Sequence, residues 1–142
     1  MSQDIHEVRK KYVRLRNIVL EENMPIHKST EYGDIEISLD AIANLVGGTI
    51  NECYGIVGMA SQKVVKDGWA ELLKRENYSR GVIVRQDGNS LILDIYVIAL
   101  QGIKLSEVMV AAQQRVRYVL EKTLEVKVEA VNLNVQGVRT VK

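Results

Sequence analysis

Cys53 is the residue of this chain whose chemistry is most reactive in principle, because a thiolate can act as a nucleophile or as a metal ligand. A reactive cysteine needs a cation, a metal or a helix N-terminus to lower its pKa. Cys53 has no adjacent histidine, basic residue or second cysteine, and it follows a predicted helix whose C-terminal dipole would raise its pKa. The only histidines, His6 and His27, precede the segment predicted to fold. We therefore expect Cys53 to be a structural thiol, with no catalytic residue, metal site or cofactor site in the chain.

The segment after Cys53 has a glycine spacing that resembles a phosphate-contacting loop. Gly55 and Gly58 are spaced as in the GxxG loop with which KH domains clamp RNA. The two residues between them, Ile56 and Val57, are apolar, whereas such loops usually expose basic or polar side chains. The pattern favours a buried, glycine-flanked strand, and RNA binding stays open as the alternative. There is no GxGxxG and no Walker-type motif, so nucleotide binding has no support.

Two further features lie in apolar surroundings. Asp94 falls within the apolar run Leu91–Leu100, and a buried carboxylate there would need a partner or a place at a sheet edge. Trp69, Leu72 and Leu73 share one face of a predicted helix. They are candidates for an exposed anchor that contacts a partner protein, although packing against the domain's own sheet is the favoured interpretation.

Composition limits the classes of protein that are possible. The 142 residues suffice for one domain with its own core, and 46% of them are apolar. The net charge of +1 argues against a general affinity for DNA or RNA, and one cysteine excludes an internal disulfide. No apolar stretch reaches the length of a membrane span. These features predict a cytoplasmic protein without a direct membrane span.

Residues 1–30 are predicted to be a basic N-terminal extension. Apolar residues recur there at helical spacing, with basic residues between them. A solvated helix or frayed tail is the favoured interpretation, and a basic helix on a membrane or an acidic partner is the alternative. A further alternative is that Met24 is the true start and residues 1–23 are translated leader. Glu21, Glu22 and Asn23 would be encoded by a purine-rich run just before the Met24 codon, as in a ribosome-binding site.

Residues 31–142 are predicted to form one α+β domain, a two-layer sandwich. Its mixed sheet of about five strands would carry two or three helices. Strands are predicted over 32–37, 54–60, 81–86, 91–100 and 127–135, with a hairpin turn at 87–88. Helices are predicted from the N-cap Ser38 through Cys53, from Ser61 to about Glu76, and from Ser106 onward. Gly47 and Gly48 interrupt the pattern of the first helix. Close packing of this helix on the sheet would explain the pair, and a kink is the alternative.

Five short stretches in this domain resemble the alkaline shock protein family of Gram-positive bacteria, also called envelope stress response proteins, and especially its short YloU-type branch. They are 32–38, 53–61, 76–82, 106–108 and 131–138, and they occur in the family's order. The signature positions with a structural role are Gly33, Cys53, Tyr54, Gly55, Gly58, Gly81 and Gly137. The resemblance covers roughly residues 31–141 and leaves out residues 1–24.

The resemblance implies a small cytoplasmic protein without known catalysis. Some members self-associate and collect at the membrane through a separate membrane-anchored partner, in cell-envelope homeostasis under stress. We therefore predict a non-enzymatic adaptor or scaffold that forms homo-oligomers. The alternatives are an RNA-binding module that uses Gly55–Gly58 and the N-terminal basic residues, and a regulator of lipid metabolism, which would need a pocket.

Overall fold

The chain adopts an α+β fold, as predicted. The computed structural model describes residues 25–63 and 71–140, so most of the predicted N-terminal extension and Trp69 lie outside the described residues. In chain order the elements are β1 (Ile26–Thr30), β2 (Gly33–Ile37), α1 (Leu39–Asn51), β3 (Ile56–Met59), a 3₁₀ helix (Arg75–Gly81), β4 (Val82–Asp87), β5 (Ser90–Leu100), α2 (Leu105–Leu124) and β6 (Lys127–Arg139).

The longest apolar run of the sequence, β5, is the centre of a four-stranded mixed sheet. One edge of β5 pairs in parallel with β6 along its whole length. The other edge is shared end to end, because β4 pairs antiparallel with Ser90–Ile95 and β3 with the stretch from Val97 to Ala99. A strand with neighbours on both edges and a covered face is expected to be apolar, and alternate β5 residues are fully buried.

The remaining two strands form a separate antiparallel hairpin. β1 pairs with β2 from Ile26 opposite Ile37 to Thr30 opposite Gly33. β1 lies in the segment that we predicted to be an extension, and Ile26 is buried in the main core. β2 was predicted to be half-buried, but four of its five residues are exposed. Among the described residues the mixed sheet thus has four strands rather than about five.

Helix α1 begins as the sequence indicates. The Ser38 hydroxyl accepts a hydrogen bond from the Ala41 backbone N–H at 3.2 Å, which satisfies one of the free donors of the first turn. The helix runs through Gly47 and Gly48 without a break. A Cβ on Gly47 would clash with the Tyr78 ring. Close packing therefore explains this glycine, with the 3₁₀ helix as the neighbour.

The prediction of a helix from Ser61 to about Glu76 is wrong, because neither of its two described ends is α-helical. Residues 61–63 are not helical, and the regular 3₁₀ turns begin only at Arg75. Leu72 instead forms a bridge with Ala60, and the Leu73 N–H donates to the Met59 carbonyl at 2.8 Å. Pairing with the outer edge of β3 satisfies these backbone groups and replaces the helical bonds that we had predicted.

The two α-helices of the described residues, α1 and α2, pack on the same face of the sheet. The buried stripe of α2 consists of Ala112, Val116 and Leu120, and α1 contributes Ile42, Val46 and Ile50 to the same core. The Gln113 amide also donates to the Val131 carbonyl at 2.9 Å, which ties α2 to β6. This frame fixes the end of α1 next to the first half of α2.

Candidate functional site

An open groove lies between the C-terminal end of α1 and the N-terminal half of α2. Its volume is about 720 Å³. Apolar groups such as Ile103, Val108 and Ala111 line it together with four charged residues of both signs, Glu52, Lys104, Glu107 and Arg115. The groove thus has an apolar surface whose burial against a partner is favourable, together with charges that can orient that partner.

The α1 wall of the groove is the start of the signature segment. The chain leaves the helix through a bond from the Cys53 N–H to the Ile50 carbonyl at 3.0 Å. Tyr54 then projects outward, with 79% of its surface exposed. We predicted a buried strand from Tyr54, but β3 begins only at Ile56, so Tyr54 belongs to the groove and not to the core.

Gly55 makes this sharp turn possible. Its φ of +85° lies in the left-handed region that side chains rarely adopt. A Cβ would also lie 2.7 Å from Cγ1 of Val108 and 2.8 Å from Cδ1 of Ile103. The Gly55 carbonyl accepts a bond from the Leu100 N–H at 2.8 Å, which anchors the turn to the end of β5. The glycine therefore sets the distance between the two walls.

The α2 wall presents a regular row of side chains. Glu107, Ala111 and Arg115 are spaced four residues apart, so they lie one above the other on one side of the helix. All three are exposed, and neither charged residue has an ion pair with any described part of the chain. Sequence reasoning missed this row. Its spacing is visible in the sequence, but its position opposite the end of α1 depends on the fold.

Cys53 lies at the base of the α1 wall, half-buried rather than fully buried. Its thiol donates a hydrogen bond to the Thr49 carbonyl at 3.3 Å. Burial raises the pKa of the Cys53 thiol, the positive charge of Arg115 works against that increase, and Glu52 adds to it. The direction agrees with the prediction, but burial is the main cause, where we had expected the helix dipole.

The other signature glycines lie away from the groove, and two of them allow close packing. A Cβ on Gly58 would meet Leu72 at 2.8 Å, and one on Gly81 would meet the Ala60 carbonyl oxygen at 2.5 Å. Gly33 has a φ of +138° at the start of β2. Gly137 pairs with Ile98 in the β5–β6 ladder.

The GxxG segment is in the interior. Gly55, Ile56 and Gly58 are buried, and the segment forms the turn and strand β3. A loop that clamps an RNA backbone must expose its amides to phosphates. The burial of Gly55, Ile56 and Gly58 does not fit that role.

Asp94 is paired with other side chains, which was one of the two arrangements expected for a carboxylate in this apolar run. Its carboxylate accepts hydrogen bonds from the Arg85 guanidinium on β4 and from the Asn132 amide on β6, the latter at 2.8 Å. This three-strand ladder lies on the sheet face opposite the helices, because Asp94 alternates with the buried residues Leu93 and Ile95. Its contacts are those of a structural ion pair.

The proposed anchor of Trp69, Leu72 and Leu73 is divided. Leu73 is buried in the core, so it cannot contact a partner in this fold. Leu72 is 41% exposed and packs over Gly58.

His27 lies in β1, 3.8 Å from Glu36, and not before the folded region as we had predicted. Within residues 25–63 and 71–140, no three histidine, cysteine, aspartate or glutamate side chains are grouped as metal ligands would be.

Comparison with known proteins gives sequence matches over most of the chain. Residues 27–140 match the alkaline shock protein 23 family, which is described by its "cell envelope-related function". The chain is 48% identical over 116 residues to "Uncharacterized protein YloU" of Bacillus subtilis (strain 168), which covers 82% of this chain and 97% of that protein. It is 40% identical over 118 residues to "Uncharacterized protein Spy1614" of Streptococcus pyogenes serotype M6, covering 83% of this chain and 98% of that protein. No solved structure matches.

A more distant relative extends the comparison. "Uncharacterized protein YqhY" of Bacillus subtilis (strain 168) is 22% identical over 113 residues, or 80% of this chain and 82% of that protein.

None of the helices in the described part of the chain is long and apolar enough to cross a membrane.

Proposed function

Because this chain belongs to the alkaline shock protein family, whose function is cell envelope-related, we propose that it is a non-enzymatic adaptor or scaffold in cell-envelope homeostasis and the stress response. It acts through protein contacts and self-association. The observation that carries this proposal is the groove between α1 and α2, with its apolar lining and its charges of both signs.

The groove suits a protein partner for physical reasons. Tyr54 and Val108 offer apolar area whose burial against a partner releases water. Tyrosine and arginine are enriched among residues that dominate binding energy, and both occur here, as Tyr54 and Arg115. The walls are a helix and a helix end fixed by the core, so little ordering of the chain is needed on binding.

The adaptor works from the cytoplasm and is recruited to the membrane periphery by a membrane-anchored protein. This part of the proposal rests on the family resemblance. The groove, with two acidic and two basic residues, has no excess positive charge for binding anionic lipid directly. A protein partner therefore accounts for recruitment better than the lipid surface.

Site-specific photocrosslinking in Gram-positive cells tests the proposal. A photoreactive amino acid at Tyr54 is expected to capture protein partners, and the yield should increase under envelope stress. The matched control is Tyr32, which is 92% exposed but lies at the turn of the β1–β2 hairpin. Equal capture at both positions, or no capture at Tyr54, contradicts the proposal. So does full stress resistance in a strain that lacks the protein.

A further inference from the structure

We propose that the occupant of the groove is a second copy of this chain, with the two α2 helices packed antiparallel across a two-fold axis at Ala111. This inference rests on the proposed function, since it names the surface used for self-association. It is argued from the symmetry of the charges along α2.

The row of α2 is complementary to itself when it is reversed. Under a two-fold axis through Ala111, each residue four positions before Ala111 faces the residue four positions after it in the other copy. Glu107 of one copy then faces Arg115 of the second copy, and the pair occurs twice. Four residues correspond to about 6 Å of helix, so both pairs lie close to the centre of the contact.

Lys104 and Tyr118 add a second contact outside these pairs. Lys104 is the residue just before α2 and Tyr118 lies on α2, each seven residues from Ala111, so the two come close to each other across the axis. Lys104 lines the groove, and Tyr118 is 57% exposed. An ammonium group over an aromatic ring is a favourable contact. Antiparallel packing thus provides an attractive partner for the charged residues of α2 on both sides of the axis.

Ala111 allows the two helices to approach each other. Helices pack with their axes about 8–10 Å apart, and the separation depends on the side chains at the crossing point. Ala111 is exposed and is the smallest side chain of the row. The exposed Tyr54 on the opposite wall provides additional apolar area beside the incoming helix.

The charge balance of the groove favours this occupant over others. The groove has two acidic residues, Glu52 and Glu107, and two basic residues, Lys104 and Arg115. A uniformly acidic or basic peptide would meet two charges of its own sign, and an acyl chain would engage none of the four charges. A second copy places Glu107 opposite Arg115 twice, which is a complementary arrangement.

Charge reversal tests the proposal, with the mass of the particle in solution measured over a wide range of protein concentration. The wild-type protein is expected to shift from monomer to dimer. Either Glu107→Arg or Arg115→Glu places like charges opposite each other, so each should raise the dissociation constant by at least about tenfold. Mixing the two variants restores opposite charges at every pair and should restore dimers. The double variant E107R/R115E should also dimerise.

Matched controls separate this effect from a general effect of charge. Glu129→Arg and Lys127→Glu change exposed residues of β6, outside the groove, and should leave dimerisation unchanged. Far-ultraviolet circular dichroism confirms that each variant is folded. A wild-type protein that stays monomeric overturns the proposal. So do single reversals that dimerise like the wild type, and a mixture that stays monomeric.

A disulfide provides a second, geometric measurement. In a Cys53→Ala background, Ala111→Cys places two thiols on the symmetry axis. Oxidation should then give a covalent dimer, because disulfides form only between Cα atoms less than about 7 Å apart. Lys122→Cys, exposed on the last turns of the same helix, should give little or none. Equal crosslinking of both variants contradicts the proposed axis.

The outcome also shows which proposal fails. A monomer that still captures another protein at Tyr54 leaves the adaptor function in place and removes the second copy as the occupant. The opposite outcome is a dimer that responds to the charge reversals, while Tyr54 captures only this chain in cells and stress resistance does not depend on the protein. That outcome supports the interface and contradicts the adaptor function.

Discussion

The two sides of helix α2 perform different tasks. Its inner side, formed by Ala112, Val116 and Leu120, is fully buried against α1 and the sheet. Its outer row of Glu107, Ala111 and Arg115 is exposed and lines the groove, and the exposed Tyr118 continues this row beyond the groove. Because the two sides belong to one rigid element, the core determines where the outer row stands, while the outer row contributes little to stability. Substitutions on the two sides should therefore affect different measurements.

The largest effect is expected from a cavity on the inner side. Leu120→Ala removes a fully buried side chain and should lower the free energy of unfolding by about 2–5 kcal/mol, measured by urea denaturation. Tyr118→Ala on the outer row of the same helix should change it by less than about 1 kcal/mol. Similar losses for both variants would show that the outer row is part of the core.

A smaller loss is expected at the boundary between the two sides, where Gly55 contacts Val108. Gly55→Ala combines an unfavourable backbone angle with a Cβ placed 2.7 Å from Val108, and should cost about 2–4 kcal/mol. Gly88→Ala is the control, because Gly88 also has a positive φ, +63°, but has nothing within 4 Å of its Cβ position.

The control variant Gly88→Ala should cost only about 1 kcal/mol. Equal costs at the two glycines would mean that the backbone angle alone matters and that the walls of the groove are not in tight contact. A larger cost at Gly55, together with altered crosslinking at Tyr54, would show that this glycine sets the width of the groove.

The sequence predicted the elements whose signals are local. The apolar run of β5 and the 3.6-residue period of α2 each lie within one continuous stretch, and so does the cap at Ser38. The structure confirms all three. The β1 strand was missed, because Ile26 is the only apolar residue among its five. The helix predicted through Leu72 and Leu73 failed because the bonds that hold these residues come from β3, a separate element.

The groove could be predicted only in part, for the same reason. The sequence singled out Cys53 to Gly58, but interpreted Tyr54 as the start of a buried strand. The opposite wall belongs to α2, about fifty residues further along the chain. No local pattern reports that Val108 contacts Gly55. The charges at Glu107 and Arg115 look like those of any solvated helix surface until the position of α1 is known.

The smallest expected effect is electrostatic and links the outer row of α2 to Cys53 at the end of α1. Because burial raises the pKa of this thiol, less thiolate is present at neutral pH than for a free cysteine, and alkylation should be slow. The sign for stability follows. The unfolded chain loses this proton at lower pH than the folded one, so the thiol's contribution is complete below the unfolded pKa. It is lost as the pH rises through the folded pKa.

Neutral substitutions of the groove charges should shift the alkylation rate in opposite directions. Glu52→Gln removes a negative charge that raises the pKa of Cys53, so alkylation should be faster. Arg115→Gln removes a positive charge that lowers it, so alkylation should be slower. Each change should be about twofold at low ionic strength and smaller at high salt, since the groove is open to solvent.

Measurement of the alkylation rate at low protein concentration avoids shielding by a second copy. Glu129→Gln on β6 is the control and should have no effect. Equal rates in all three variants would show that the outer row of α2 does not influence the end of α1.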